Sequence, residues 1–244
     1  MSTVASTARL AFVGLLFIAG CAAVSTAPYR YPMLAGELLS VAFVALWLVH
    51  VAQAARRALM DARTFSVQSG RAMVGGAAVR ILAGPTPLAF VSGLFRPQIY
   101  LSPSLIDILD DQELRAVLLH ERHHLSTRAP LRGLMLEAWN RTLGWLPPVR
   151  GALLARLATL EIEADAAAIA AGVPPSTLAS ALLKCDPHAP AAASAFSTAA
   201  AARIGELVAW GPNDRIDRRR SLPLEWAVPT TATFVLIACQ LVGG

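Results

Sequence analysis

Charge is scarce in this chain of 244 residues: only 15% are Asp, Glu, Lys or Arg, against 55% that are hydrophobic. That balance is unusual for a soluble domain and predicts that part of the chain lies in lipid. Lysine is almost missing, one among 21 basic residues, a bias that with abundant alanine fits a GC-rich genome. Cys21, Cys185 and Cys239 stand too far apart for a disulfide framework or a CxxC metal site. Basic residues nowhere interleave with aromatics in a stripe, which argues against direct binding of nucleic acid.

Uncharged runs cover residues 10–27 and 38–55, each near the minimum length of a spanning helix, and a shorter one from Trp226 to Val242 holds Pro229. Arg56, Arg57, Arg63, Arg71 and Arg80 follow the second run, and Arg215, Arg218, Arg219 and Arg220 precede the third. Only Arg30 lies between the first two. Basic residues beside spans stay on the cytoplasmic side. The expectation is a multi-pass protein of a bacterial cell membrane: an N-terminal transmembrane hairpin over 1–55, a cytoplasmic domain over 56–222 and a C-terminal span over 223–244. The net charge of +5 then reads as topology and contact with an anionic lipid bilayer. Ile18-Ala19-Gly20-Cys21 reads either as a lipoprotein cleavage box or as a small-residue patch in a spanning helix. Glu37 and His50 read as interfacial, and Tyr29 and Tyr31 fit an aromatic belt.

Within the central region stands His120-Glu121-Arg122-His123-His124, an HExxH motif in the amphipathic run 110–126. Asp110 and Glu113 have capping-box spacing for its helix. Residues four apart share a helix face, so His120 and His124 can hold one metal ion. A zinc ion there lowers the pKa of a water to about 7, and Glu121 is placed to take its proton. His123 reads as a bystander or as a supporting group behind the ligands, because pairing it with His120 leaves Glu121 without a role.

Upstream, residues 64–68, 78–83, 87–93 and 97–102 read as strands of a small sheet. The run 87–93 is the candidate edge for an extended substrate backbone. Downstream, 131–146 reads either as a helix in the membrane surface or as an ordinary core helix, ended by Pro147-Pro148. Residues 152–172 read as a helix closed by Gly172. The longer HExxHxxGxxH pattern would need glycine and histidine where this chain has Thr127 and Pro130, so the third ligand comes from elsewhere. Among Glu137, Glu161, Glu163 and Asp165, the pair Glu161 and Asp165 shares a face at i and i+4. Glu161 is therefore expected as the ligand, and Asp165 as the group that orients a ligating histidine. The alanine-rich stretch 186–202 reads as a linker or flap.

The run RPQIYLSPSLIDILDDQELRAVLLHERHH, then LPP and LEIEADAAAIAAG, resembles the BlaR/MecR antibiotic-sensor membrane metallopeptidases and, more distantly, the HtpX and CAAX prenyl protease group. The resemblance implies an α+β, mostly helical, gluzincin-like domain binding one Zn2+ per chain through His120, His124 and Glu161. It also implies Glu121 as general base, with Asp165 matching the family's aspartate. A BlaI-like repressor is the expected substrate. HtpX-like quality control of membrane proteins and a noncatalytic membrane adaptor are the alternatives. The sensor members carry a penicillin-binding domain after their last span, and because this sequence stops at Gly244 direct sensing of a β-lactam is not expected. Where the distant group often has His-Pro before Arg-Ile, this chain reads Gly211-Pro212-Asn213-Asp214-Arg215-Ile216, which makes Arg215 a candidate stabiliser of the transition state.

Overall fold

The computed structural model describes residues 30–185 and Leu207. The elements are α1 (Arg30–Val67), β1 (Ser69–Val74), β2 (Ala77–Leu82), β3 (Ala89–Ser92), β4 (Gln98–Leu101), α2 (Pro103–Ile108), α3 (Asp111–Ser126), α4 (Ala129–Leu143), α5 (Pro147–Ala170) and α6 (Pro175–Cys185). The described residues are mostly helical with one small sheet. Two compact units divide it: Met1–Ala52 with Met135–Leu153 and Arg219–Gly244, and Gln53–Leu134 with Leu154–Arg218.

The second unit contains the sheet, in the order β1-β2-β4-β3. β1 and β2 form an antiparallel hairpin across Gly75-Gly76, whose φ values of 55° and 76° are those a two-residue primed turn requires. β2 runs parallel to β4; β1 and β3 are the outer strands, and β3 is antiparallel to β4. Val79, Ile99 and Leu101 pack against Leu105, Leu109, Val117, Leu118 and Ala181, so α2, α3 and α6 cover one face of the sheet. Phe90 stacks on Tyr100 at 5.3 Å between ring centroids, and Phe65 meets Phe90 edge-on at 5.1 Å.

Residues 64–68, expected as a strand, instead lie mostly in the last turn of α1. Thr64 Oγ1 donates to the Met60 carbonyl and Ser66 Oγ to the Arg63 carbonyl, as hydroxyls do inside a helix. Arg80 then donates from β2 to the Ser66 carbonyl at 2.8 Å and from Nε to Gln98 at 2.6 Å. A cation there satisfies a carbonyl that the ending helix leaves open. The first strand falls just beyond, at Ser69–Val74, where Gly70 and Arg71 obscured the apolar alternation.

The expectation of a multi-pass membrane protein with its domain on the cytoplasmic side is corrected here. Among the described residues, no helix is long and apolar enough to cross a membrane. The run 38–55 is the middle of a 38-residue helix that continues through Arg56, Arg57, Asp61 and Arg63. Within the first unit its Phe43 and Trp47 rings pack on Trp139, at 6.4 and 5.2 Å between centroids. His50 is tied to protein as well, Nδ1 lying 2.9 Å from Thr142 Oγ1; because that hydroxyl donates to the Ala138 carbonyl, the imidazole N–H is the donor. Some of the alanine serves close helix packing: Ala116, Ala138, Ala164, Ala168 and Ala181 are fully buried. α4 likewise buries Leu134, Met135, Leu136 and Trp139, as a core helix does and a surface-lying one does not. The runs 10–27 and 226–242, with Cys21, Cys239, Tyr29 and Arg215 to Arg220, lie outside the described residues, as do the side chains of Tyr31 and Glu37.

Candidate metal centre

The start of α3 is fixed by its cap. Asp110 Oδ1 accepts from the backbone N–H groups of Gln112 and Glu113 at 2.9 and 2.8 Å, and Glu113 Oε2 accepts from Asp110 N–H at 3.0 Å. This reciprocal box satisfies orphan donors of the first turn and sets the helix phase. With that phase Val117 and Leu118 enter the core, while His120 and Glu121 are each 7% exposed. His124 follows one turn after His120. α5 opens on Pro147-Pro148, read from sequence as the end of the preceding helix; proline is equally at home in a first turn, where its missing N–H costs nothing. The helix carries Glu161 and Asp165 on one face and closes before Gly172, whose φ is 91°.

The two helices bring His120, His124 and Glu161 together, with one ligand atom from each lying within 4.8 Å of the others. The Nε2 atoms of His120 and His124 are 3.0 Å apart. Glu161 Oε2 is 3.5 Å from Nε2 of His120, and Oε1 is 3.4 Å from Nε2 of His124. On its other side His120 donates from Nδ1 to Asp165 Oδ1 at 2.9 Å, and Asp165 is only 2% exposed. That bond selects the tautomer whose Nε2 lone pair points toward Glu161.

These donors suit zinc. A tetrahedral ion about 2.0–2.1 Å from each ligand atom sets them roughly 3.3 Å apart, close to the separations found. Two imidazoles and one carboxylate also leave a fourth position open, the arrangement of catalytic rather than structural zinc. Burial pushes the Glu161 carboxyl up, but the His120 and His124 imidazoles beside it hold it well below the usual carboxylate range. The site therefore favours an anionic Glu161 facing a cation.

The other candidates go elsewhere. Glu163 pairs with Arg156 at 3.1 Å and with Arg132 at 3.7 Å. Glu137 pairs with Arg141 at 3.1 Å. His123 is outside the triad, its pKa pushed down by burial and by the neighbouring His124. Arg215 lies outside the described residues. Absent from the sequence reading was an apolar contact of α6 with the two ligand-bearing helices: Leu178 and Ala179 of α6, with Leu207, pack against Ala116 of α3 and Ala168 of α5. The apolar i, i+3 and i+4 spacing on 175–185 was the available signal.

Residues 67–147 match Peptidase family M48. No curated protein and no solved structure matches the chain. The matched stretch contains the sheet and the whole of α3, and it supports a metallopeptidase hydrolase. Glu161 and Asp165 lie beyond its end, so their membership of the site rests on the distances above.

Proposed function

We propose that this protein is a zinc metalloendopeptidase in which His120, His124 and Glu161 hold one zinc ion and Glu121 is the general base. The observation that carries the reading is the convergence of two imidazole nitrogens and a carboxylate, with Asp165 fixing the tautomer of His120. When bound, zinc supplies a Lewis acid that polarises the scissile carbonyl and acidifies the attacking water. Glu121, adjacent in sequence to the first ligand and 7% exposed, takes the proton of that water and delivers it to the departing amine nitrogen. Asp165 holds His120 in orientation, and Glu161 contributes the negative charge.

β3 is one of the two outer strands of the described sheet and lies against α3. An extended peptide added along that edge would bind through main-chain hydrogen bonds, with side-chain pockets setting preference. The resemblance to antibiotic-sensor peptidases favours a BlaI-like repressor as substrate, cut to relieve repression. Scattered cleavage of many unrelated proteins would favour quality control instead.

The test is hydrolysis of unstructured protein by the zinc-loaded chain and by Glu121→Gln. The variant should retain zinc and lose roughly 10²–10⁴ in kcat. Equal rates for the two would remove Glu121 from the chemistry, and no hydrolysis by either would leave a noncatalytic adaptor role in its place.

A further inference from the structure

The single lysine of this chain, Lys184, closes α6 onto the N-terminal turn of α3. Its Nζ donates to Glu113 Oε2 at 2.6 Å, and Ser180 Oγ donates to Glu113 Oε1 at 2.6 Å. The Asp110 N–H donates to the same carboxylate at 3.0 Å. Glu113 is 3% exposed, and a buried carboxylate is tolerable only with its hydrogen bonds met. Burial pushes its pKa up, but Lys184 and Ser180 hold it below the ordinary value. Ser180 and Lys184 stand at i and i+4, so one face of α6 supplies both donors. Lysine suits the place better than the arginine used everywhere else. A compact ammonium can share an oxygen already bonded to a backbone N–H, where a planar guanidinium fork seeks both oxygens.

α6 also packs on both helices that carry the ligands. Leu178, 1% exposed, packs with Ala116 of α3 and Ala168 of α5. Ala116 lies one turn before His120, and Ala168 two turns after Glu161, so both alanines share faces with ligands. The same wedge therefore sets the gap between the two ligand-bearing helices. Contacts to alanine are non-directional and by themselves permit sliding. A doubly bonded buried carboxylate does not.

We propose that Glu113, Ser180 and Lys184 are positioning residues for the metal centre, a latch that registers α6 on α3 so that Leu178 holds Glu161 at the right distance from His120 and His124. The proposal rests on the zinc reading above. Without the latch every ligand is still present, but the helices that carry them separate more readily and zinc escapes faster.

The experiment uses the full chain and two readouts. Zinc affinity is measured by chelator competition for wild type, Glu113→Gln and Lys184→Met; Glu113→Gln keeps the capping-box acceptor while removing the charge. Both variants should bind zinc about tenfold more weakly than wild type. In unaltered protein, the rate at which an amine-specific ester acylates Lys184 is followed by mass spectrometry with and without zinc. Because coupling is reciprocal, zinc should slow acylation severalfold in wild type and leave it unchanged in His124→Ala. A structural ion pair unconnected to the site would show no zinc dependence, so equal acylation rates overturn the latch even if a variant fails to fold. Wild-type affinity within a factor of about two in both variants overturns it as well. If wild type itself binds no zinc, the zinc reading falls and the latch with it, a result distinct from the other two.

Discussion

Replacing Asp165 by asparagine removes one charge from the centre without changing its shape. In the wild type Asp165 is 2% exposed and accepts from His120 Nδ1 at 2.9 Å. The asparagine amide can still offer an oxygen to that N–H, so the imidazole keeps an acceptor and the tautomer survives. What is lost is the carboxylate's contribution to the basicity of the ligating Nε2. Changes to such supporting carboxylates typically weaken metal binding by 10–100-fold. At about 1.4 kcal/mol per factor of ten, the expected loss is roughly 1.4–2.8 kcal/mol of zinc binding free energy. The assay is competition with a chelator of known affinity, with thermal melting of the metal-free protein alongside. Because the substituted amide keeps the hydrogen bond, the metal-free melting point of Asp165→Asn should fall far less than that of Asp165→Ala, which strands a buried imidazole N–H at a cost of about 1–3 kcal/mol. Zinc affinity in Asp165→Asn indistinguishable from wild type would refute the role assigned to this carboxylate.

Two further expectations concern the scaffold. Leu105 has no exposed surface and lies at the centre of the core under the sheet, so Leu105→Ala should cost about 2–5 kcal/mol in urea denaturation; a loss below about 1 kcal/mol would place the core elsewhere. Glu113 has a folded pKa below its ordinary 4.5, so the stability it confers is present in full above that value and is lost as the pH falls through the lower folded value. The stability gap between wild type and Glu113→Gln should therefore be constant near neutrality and shrink below about pH 4.5; a gap that persists undiminished at about pH 2 would contradict the linkage.

Local periodicity carried most of what the sequence revealed about the site. His120 and His124 are one helical turn apart by spacing alone, and the cap at Asp110 and Glu113 is a four-residue pattern, so both are legible without tertiary knowledge. Glu161 and Asp165 followed from the same reasoning applied to α5, helped by the arginine four residues after Glu137, which the fold uses as its partner. Long-range facts were beyond reach. Nothing local announces that Glu113 meets Ser180 and Lys184, which lie 67 and 71 residues away. Hydrophobic composition misled for a related reason. An uncharged stretch such as 38–55 is the same string whether it faces lipid or packs Phe43 and Trp47 on Trp139. The run 64–68 was misread because its β-branched and aromatic residues favour strand, whereas the helix runs on to Val67 and Arg80, brought in by the fold, donates to the Ser66 carbonyl near its end.

The central claim is that His120, His124 and Glu161 together hold one zinc ion. Its most direct test is the metal content of the purified chain after dialysis against trace-free buffer, compared with His124→Ala and Glu161→Ala folded to the same helical content. The account predicts one zinc per chain in the wild type and a large loss in both variants. Equal zinc in all three, or none in the wild type after zinc is supplied, would contradict it.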